Sequence, residues 1–245
     1  MKIIFVTIFL IFISKVALPQ WSLVTPLPQG KDLTDVFFVN SSVGYAVGYN
    51  GTIIKTNDAG LSWDTLNSNI TDHDILSVYF TDTNIGYAIG GSEIIKTTDG
   101  GTTWEKISPY TDYKQWLSSV FFTDSVNGFV SGYNVIEQKG ILIKTEDGGN
   151  TWDTSSVFPK DVFSQLFFIN PSIGFAIGNR FNEYNGFIYK TINGGNTWDT
   201  LTTNLNIILH SIYFINEETG YVAGDSGTII KTENGGITWD ILSSG

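Results

Sequence analysis

The chain has 245 residues, 42% of them hydrophobic and 15% charged, and a formal net charge of −11. That is enough apolar material for one large all-β domain or two small domains, and too much for a disordered chain. It contains no cysteine, which excludes disulfides, thiol catalysis, Cys-ligated metal clusters and a lipidated cysteine anchor; its acidic surface opposes nucleic acid as a partner.

The first element is an address. Met1-Lys2 leads into the apolar run Ile3 to Ile13, followed by Ser14-Lys15-Val16-Ala17-Leu18-Pro19-Gln20. A basic start, a short apolar run and a polar stop predict a secretory signal peptide over residues 1–20, cleaved between Ala17 and Trp21. The run is shorter than the roughly 20 residues that cross a bilayer. Losing Lys2 and Lys15 lowers the basic count from 13 to 11 against 24 acids, so the mature chain carries about −13. No second apolar run of spanning length follows. The expected protein is soluble, has no transmembrane segment, and is secreted, periplasmic or held at the cell surface.

Residues 21–245 read as a single domain built from one repeated unit. A nine-residue phrase occurs at Lys55–Trp63, Lys96–Trp104, Lys144–Trp152, Lys190–Trp198 and Lys231–Trp239, with tryptophan intervals of 41, 48, 46 and 41. A period in this range marks a repeat architecture. Each unit opens on a β-branched and aromatic run, such as Val36-Phe37-Phe38-Val39, closed by Asn or Asp. A Gly–aromatic block follows, as at Gly44-Tyr45, then a run such as Thr52 to Thr56, then the phrase, whose tryptophan opens a fourth run. Four short runs separated by Gly and Asx turns predict four strands, and four strands in about 44 residues specify a propeller blade. The blades are predicted at about 33–67, 75–107, 117–155, 163–202 and 209–243. Residues 21–28, with Trp21 on period 42 residues before Trp63, read as an extra terminal fourth strand. A closed five-blade ring, an incomplete ring and a fragment all fit this count. Exposed strand edges are a liability, which favours closure.

The phrase KTxDGGxTW resembles the Asp-box, or BNR repeat. Together with the GYAVG and VFF blocks, it makes the units resemble the photosystem II assembly/stability factor-like β-propeller family, from about Trp21 to Gly245. The resemblance implies a β-propeller and scaffold or assembly-factor work; in photosynthetic members the partner is a photosystem subunit. In each phrase an Asx side chain (Asp58, Asp99, Asp147, Asn193, Asn234) is placed to accept turn N–H groups. A glycine (Gly60, Gly101, Gly149, Gly195, Gly236) supplies positive φ, and a tryptophan (Trp63, Trp104, Trp152, Trp198, Trp239) fills the space between turn and blade. Asn in two copies argues for a folding element over a cation site, so neither metal nor cofactor is expected.

Asp-boxes also occur in sialidases, which hold a substrate carboxylate with three arginines; this chain has one, Arg180, which excludes that chemistry. Acids outside the phrase, among them Asp72, Asp74, Asp112, Glu137, Glu183, Glu217, Glu218 and Asp225, form no distinctive pair for glycoside hydrolysis. The two histidines, His73 and His210, lie just before first strands, and no GxSxG elbow is present. A non-catalytic, protein-binding propeller fits better, with a carbohydrate-binding or glycan-processing propeller as the alternative. The loops between second and third strands and the crossings between blades share one face, and they vary. They carry Tyr110, Tyr113, Trp116, Tyr133, Arg180, Phe181 and Tyr184, residue types that dominate protein interfaces and stack on sugar rings. These seven form the expected contact patch for an unidentified protein partner or, in the alternative, a glycan.

Overall fold

The computed structural model describes residues 30–68, 73–110, 114–181, 183, 185–201 and 206–242. The expected signal peptide and the extra strand at 21–28 lie outside these residues. Five antiparallel four-stranded sheets follow one another. Blade 1 holds β1 (Leu33–Phe38), β2 (Gly44–Gly48), β3 (Thr52–Thr56) and β4 (Asp64–Leu66); blade 2 holds β5 (Ser77–Phe80), β6 (Gly86–Gly90), β7 (Glu93–Thr97) and β8 (Glu105–Lys106). Blade 3 holds β9 (Gln115–Phe122), β10 (Gly128–Asn134), β11 (Lys139–Thr145) and β12 (Asp153–Pro159). Blade 4 holds β13 (Asp161–Phe168), β14 (Gly174–Arg180), β15 (Gly186–Thr191) and β16 (Asp199–Leu201); blade 5 holds β17 (Leu209–Phe214), β18 (Gly220–Gly224), β19 (Ile229–Thr232) and β20 (Asp240–Leu242). The chain is an all-β propeller of five blades, as its repeat spacing predicts.

Period-two alternation explains how the blades stack. The first strand of each blade, with the residues leading into it, carries an apolar triad: Ile75, Val78 and Phe80 in blade 2, then Leu117, Val120 and Phe122, then Phe163, Leu166 and Phe168, then Leu209, Ile212 and Phe214. Each triad is buried against the preceding blade. That blade contributes the aromatic of its Gly–aromatic block and the register pair above it: Tyr45 with Val47 and Ile53, Tyr87 with Ile89 and Ile94, Phe129 with Ser131 and Leu142, Phe175 with Ile177 and Ile188. The aromatics stack across the four junctions between consecutive blades: Tyr45 on Phe80 at 3.7 Å, Tyr87 on Phe122 at 3.9 Å, Phe129 on Phe168 at 4.4 Å and Phe175 on Phe214 at 4.1 Å. Such pairs add about 1 kcal/mol each beyond the area they bury.

Polar contacts repeat alongside. In blades 1 to 4 a polar residue near the start of the first strand accepts the backbone N–H of the next blade's first strand: Asp35 from Val78 (2.9 Å), Ser77 from Val120 (3.3 Å), Ser119 from Leu166 (3.1 Å) and Gln165 from Ile212 (2.7 Å). On the opposite face the repeated lysine and tyrosine reach the next hairpin. Lys55 Nζ and the Tyr45 hydroxyl both donate to the Gly100 carbonyl, and Lys96 and Tyr87 both donate to that of Gly148.

The expected closed ring is where the fold departs from the sequence reading. Four core clusters join blades 1–2, 2–3, 3–4 and 4–5. On blade 1 the triad that should meet a preceding blade is open: Leu33, Val36 and Phe38 are 49, 57 and 44% exposed, whereas Val78 and Phe80 are 2 and 3%. On blade 5, Ala223 and Ile229 are exposed and Tyr221 is only half-buried, although the block aromatics of the other blades are fully buried. Among the described residues the junction between blade 5 and blade 1 is unpacked, and the fold is an arc with two apolar ends.

Candidate binding surface

The hairpins sit on one face, and their Asx and threonine side chains are spent on the turn's own hydrogen bonds, while the indole N–H groups of Trp104, Trp152, Trp198 and Trp239 are buried without a partner among the described residues. In the first, the Asp58 carboxylate accepts the Thr56 hydroxyl (2.7 Å), the Ser62 N–H (2.8 Å) and the Ser62 hydroxyl (2.6 Å). Thr56 in turn accepts the Gly60 N–H at 2.8 Å. Asp99 and Asp147 repeat the pattern, and Asn193 and Asn234 keep it through their amide oxygens and donate their N–H₂ to Thr197 and Thr238. Two consecutive residues turn through positive φ, Gly100 and Gly101 in the second hairpin; the first hairpin puts Ala59 (φ 61°) at the earlier of these positions. The tryptophans lie edge-on to the first-strand phenylalanines, for instance Trp104 to Phe80 at 6.1 Å. Among the described residues no three His, Asp or Glu side chains converge as a metal site.

These carboxylates set a pH dependence. The Ser62 hydroxyl and N–H hold Asp58 at about 2, the Thr151 N–H and hydroxyl hold Asp147 at about 2, and the Thr103 N–H and hydroxyl lower Asp99. A folded value below the unfolded one stabilises the fold above the unfolded pKa, and that stability is lost as pH falls through the folded value. Asp35 and Asp161, raised chiefly by burial, act in the opposite sense. The variant Asp58→Asn/Asp99→Asn/Asp147→Asn isolates the hairpin contribution. Its melting-temperature deficit relative to the parent is expected to shrink from pH 5 to pH 2, and a deficit independent of pH contradicts the assignment.

The other face is raised over blades 3 and 4. Their first three strands run six to eight residues, against four to six in the other blades, so two extra residues per strand stand about 7 Å above the rim. The segments read from sequence as loop inserts are therefore strand extensions: β10 runs through Tyr133 to Asn134, β14 through Asn179 to Arg180, and Trp116 lies in β9 paired with Tyr133. Tyr133 is buried, its hydroxyl has no hydrogen-bond partner, and its ring lies parallel to that of Phe181 at 5.4 Å. Phe181 is 38% exposed and tethered by its N–H to the Lys160 carbonyl at 2.6 Å. Arg180 Nε stands 3.8 Å from Asp161, leaving most of its fork in solvent. Asp161 is buried and accepts the Tyr189 hydroxyl at 2.6 Å; burial pushes its carboxyl up, opposed by Tyr189 and Arg180.

The structure thus brings Tyr133, Arg180 and Phe181 together. Trp116, 61% exposed, stands on the inner edge of the same blade beside a cleft of about 290 Å³ lined by His73, Asp74, Leu76 and Gly91. Tyr110 does not join the patch: it packs into the core between blades 2 and 3 with its hydroxyl bonded to Thr154. Tyr113 and Tyr184 lie outside the described residues. Sequence reasoning missed Asp161 and Tyr189, which anchor the arginine. It also missed the polar starts of the five first strands, among them Asp35, Ser77, Ser119, Gln165 and Ser211, which line a cavity of about 250 Å³ on this face.

With this geometry in hand, comparison with known proteins places the chain. The family model described as photosynthesis system II assembly factor YCF48 matches residues 13–108 and 63–201, more than half the chain. The chain belongs to the YCF48 family. No curated protein matches it. Among solved structures, this YCF48-family chain is similar to YCF48 bound to a D1 peptide, with a TM-score of 0.68 and 21% identity over 89% of this chain and 70% of that one. YCF48 from Cyanidioschyzon merolae aligns with a TM-score of 0.53 and 16% identity, over 89 and 87% of the two chains. An ancestral GH74 enzyme aligns with a TM-score of 0.72 and 17% identity, over 94% of this chain but 33% of its own. At these identities the structural likeness concerns the fold, and this YCF48-family propeller spans a third of the GH74 chain.

Proposed function

We propose that this chain is an exported, non-catalytic propeller that holds an extended segment of a protein partner on its raised face, against Trp116, Arg180 and Phe181. The observation that carries this reading is the Phe181 ring lying on the buried Tyr133 with the Arg180 fork free beside it. A rigid aromatic shelf next to a guanidinium loses little side-chain freedom on binding and offers both apolar area and a carboxylate or carbonyl contact. Support also comes from a relative that holds a D1 peptide. The client itself is not carried over. Arg180 is the only arginine in the sequence, so a three-arginine carboxylate clamp cannot form.

One observation favours a second reading, a carbohydrate-binding or glycan-processing propeller: the Trp116 indole stands open beside the His73–Asp74 cleft, as a sugar platform would. A displayed library of random peptides and a glycan array with a hydrolase screen separate the two. The parent protein is expected to enrich peptides, with capture falling at least tenfold in Phe181→Ala and Arg180→Gln while the melting temperature holds. Glycan capture or turnover without peptide enrichment overturns the reading. Export is tested by the N-terminus of the mature protein, expected between Leu18 and Trp21.

A further inference from the structure

The residues that alternate with the buried triads face a channel bounded by the first strands of all five blades. It has two storeys that share one collar: Asp35, Ser77, Ser119, Gln165 and Ser211. The upper storey, about 250 Å³, opens on the raised face past Leu76 and His210. The lower storey, about 340 Å³, is lined by Phe37, Tyr79, Phe121, Phe167 and Tyr213. These rings follow one another along the wall, with successive centroids 4.7, 5.0, 5.9 and 5.4 Å apart.

One of the five collar positions carries a charge. The Asp35 carboxylate is held by neutral donors: the Val36 N–H at 2.8 Å, the Val78 N–H at 2.9 Å and the Ser77 hydroxyl. A carboxylate has about four acceptor sites, so one is left over. Burial pushes this carboxyl up against those three hydrogen bonds, and no basic side chain among the described residues offsets its charge. His210 at the mouth is itself engaged, its Nε2 standing 2.6 Å from Asp225. The carboxylate selects a cation by its charge, and the rings do so by the negative faces of their π systems. Hard metal ions want a shell of oxygens, which the aromatic storey does not supply.

We propose that the channel binds a primary alkylammonium group, its nitrogen held at the collar by Asp35 above the aromatic rings and its carbon stem leaving through the mouth past Leu76. The three N–H donors of an ammonium meet the remaining Asp35 site and the hydroxyl oxygens of Ser119 and Ser211. The rings beneath take the part of the charge that the collar leaves uncovered. A lysine side chain of a protein partner and a free amine present this same group. The site lies inside the channel and does not rest on the Arg180–Phe181 shelf.

The test follows backbone amide signals by NMR while the protein is titrated with n-butylammonium chloride, with 1-butanol as the neutral counterpart and sodium chloride holding the ionic strength constant. Butylammonium is expected to move the N–H signals of Val78, Val120, Leu166 and Ile212, which the collar side chains hold. It is expected to bind at least tenfold more tightly than butanol. Asp35→Asn is expected to keep the melting temperature, because the Gln165 amide oxygen already accepts an N–H from the same place. It is expected to weaken butylammonium at least tenfold and leave butanol unchanged. Phe37→Leu, at the end of the row of rings, is expected to weaken butylammonium at least threefold. A capped Gly-Lys-Gly peptide separates the two sources. Binding at least tenfold tighter than butylammonium marks a partner's lysine, and equal or weaker binding marks a free amine; both support the channel site. Phe181→Ala is expected to leave amine binding unchanged, so a failure of the shelf reading and a failure of this one are told apart. Equal affinity for butylammonium and butanol, undiminished binding in Asp35→Asn, or signals moving away from the collar overturns the proposal.

Discussion

Phe122→Ala is expected to lower the melting temperature by on the order of 10 °C, and Phe38→Ala by a few degrees at most. The two residues hold the same position in their blades. Phe122 is 1% exposed, stacks on Tyr87 of the preceding blade at 3.9 Å and meets Trp152 of its own hairpin edge-on at 6.2 Å. Removing it leaves a cavity bounded by two blades, for which about 3–5 kcal/mol is the usual loss. Phe38 keeps the edge contact with Trp63 at 6.2 Å but has no blade in front of it. It is 44% exposed, so truncation removes part of one contact and opens no cavity, a loss of about 1 kcal/mol. Thermal melts in dilute solution check both. Equal losses mean that blade 1 is covered as the others are.

The second large effect is at a glycine. Gly90→Ala is expected to destabilise by more than about 3 kcal/mol, with Gly30→Ala within about 0.5 kcal/mol of the parent. A Cβ on Gly90 falls 1.9 Å from the Asp74 carbonyl oxygen and 2.9 Å from the Ile75 Cα, both backbone atoms, whereas one on Gly30 meets nothing within 4 Å. The approaching segment has little freedom to withdraw. The Ile75 N–H is bonded to the Gly48 carbonyl at 3.1 Å and the Leu76 N–H to the Ile89 carbonyl at 2.7 Å, so it is stitched to blades 1 and 2 at once. Displacing it also shifts His73 and Asp74, which form the cleft beside Trp116. Denaturant unfolding measures both variants, and a Gly90→Ala protein as stable as the parent contradicts the close approach.

The blade was legible in the sequence because each of its parts is chemically fixed. An Asx–Gly turn, a tryptophan packed under it and alternating β-branched strands recur with few substitutes. The contacts between blades were harder to see. Asp35, Ser77, Ser119 and Gln165 do one job with an acid, two hydroxyls and an amide, so no motif marks them. The open junction left no trace at all, because Val36 and Phe38 match Val78 and Phe80 in type and differ only in that no described residues pack in front of them. At the candidate surface, two aromatics expected to be exposed are not. Tyr110 reads as a loop aromatic, yet its ring fills the seam between blades 2 and 3. Tyr133 reads as a contact residue, yet it is the floor on which Phe181 rests. Arg180 was found from its uniqueness, but its anchor Asp161 follows Pro159-Lys160 and looks like part of a polar crossing until β13 is seen to begin there.

Amide hydrogen exchange at low protein concentration and low salt tests the architecture most directly. The N–H groups of Val78, Val120, Leu166 and Ile212 are each held by the preceding blade, so their exchange is expected to be slow and to track opening of the blade stack. Val36, itself exposed and bonded to the Asp35 carboxylate beside it with no described blade in front, is expected to exchange orders of magnitude faster. Protection of Val36 equal to that of its four counterparts in a single dilute chain would mean a closed five-blade ring and would contradict the open arc.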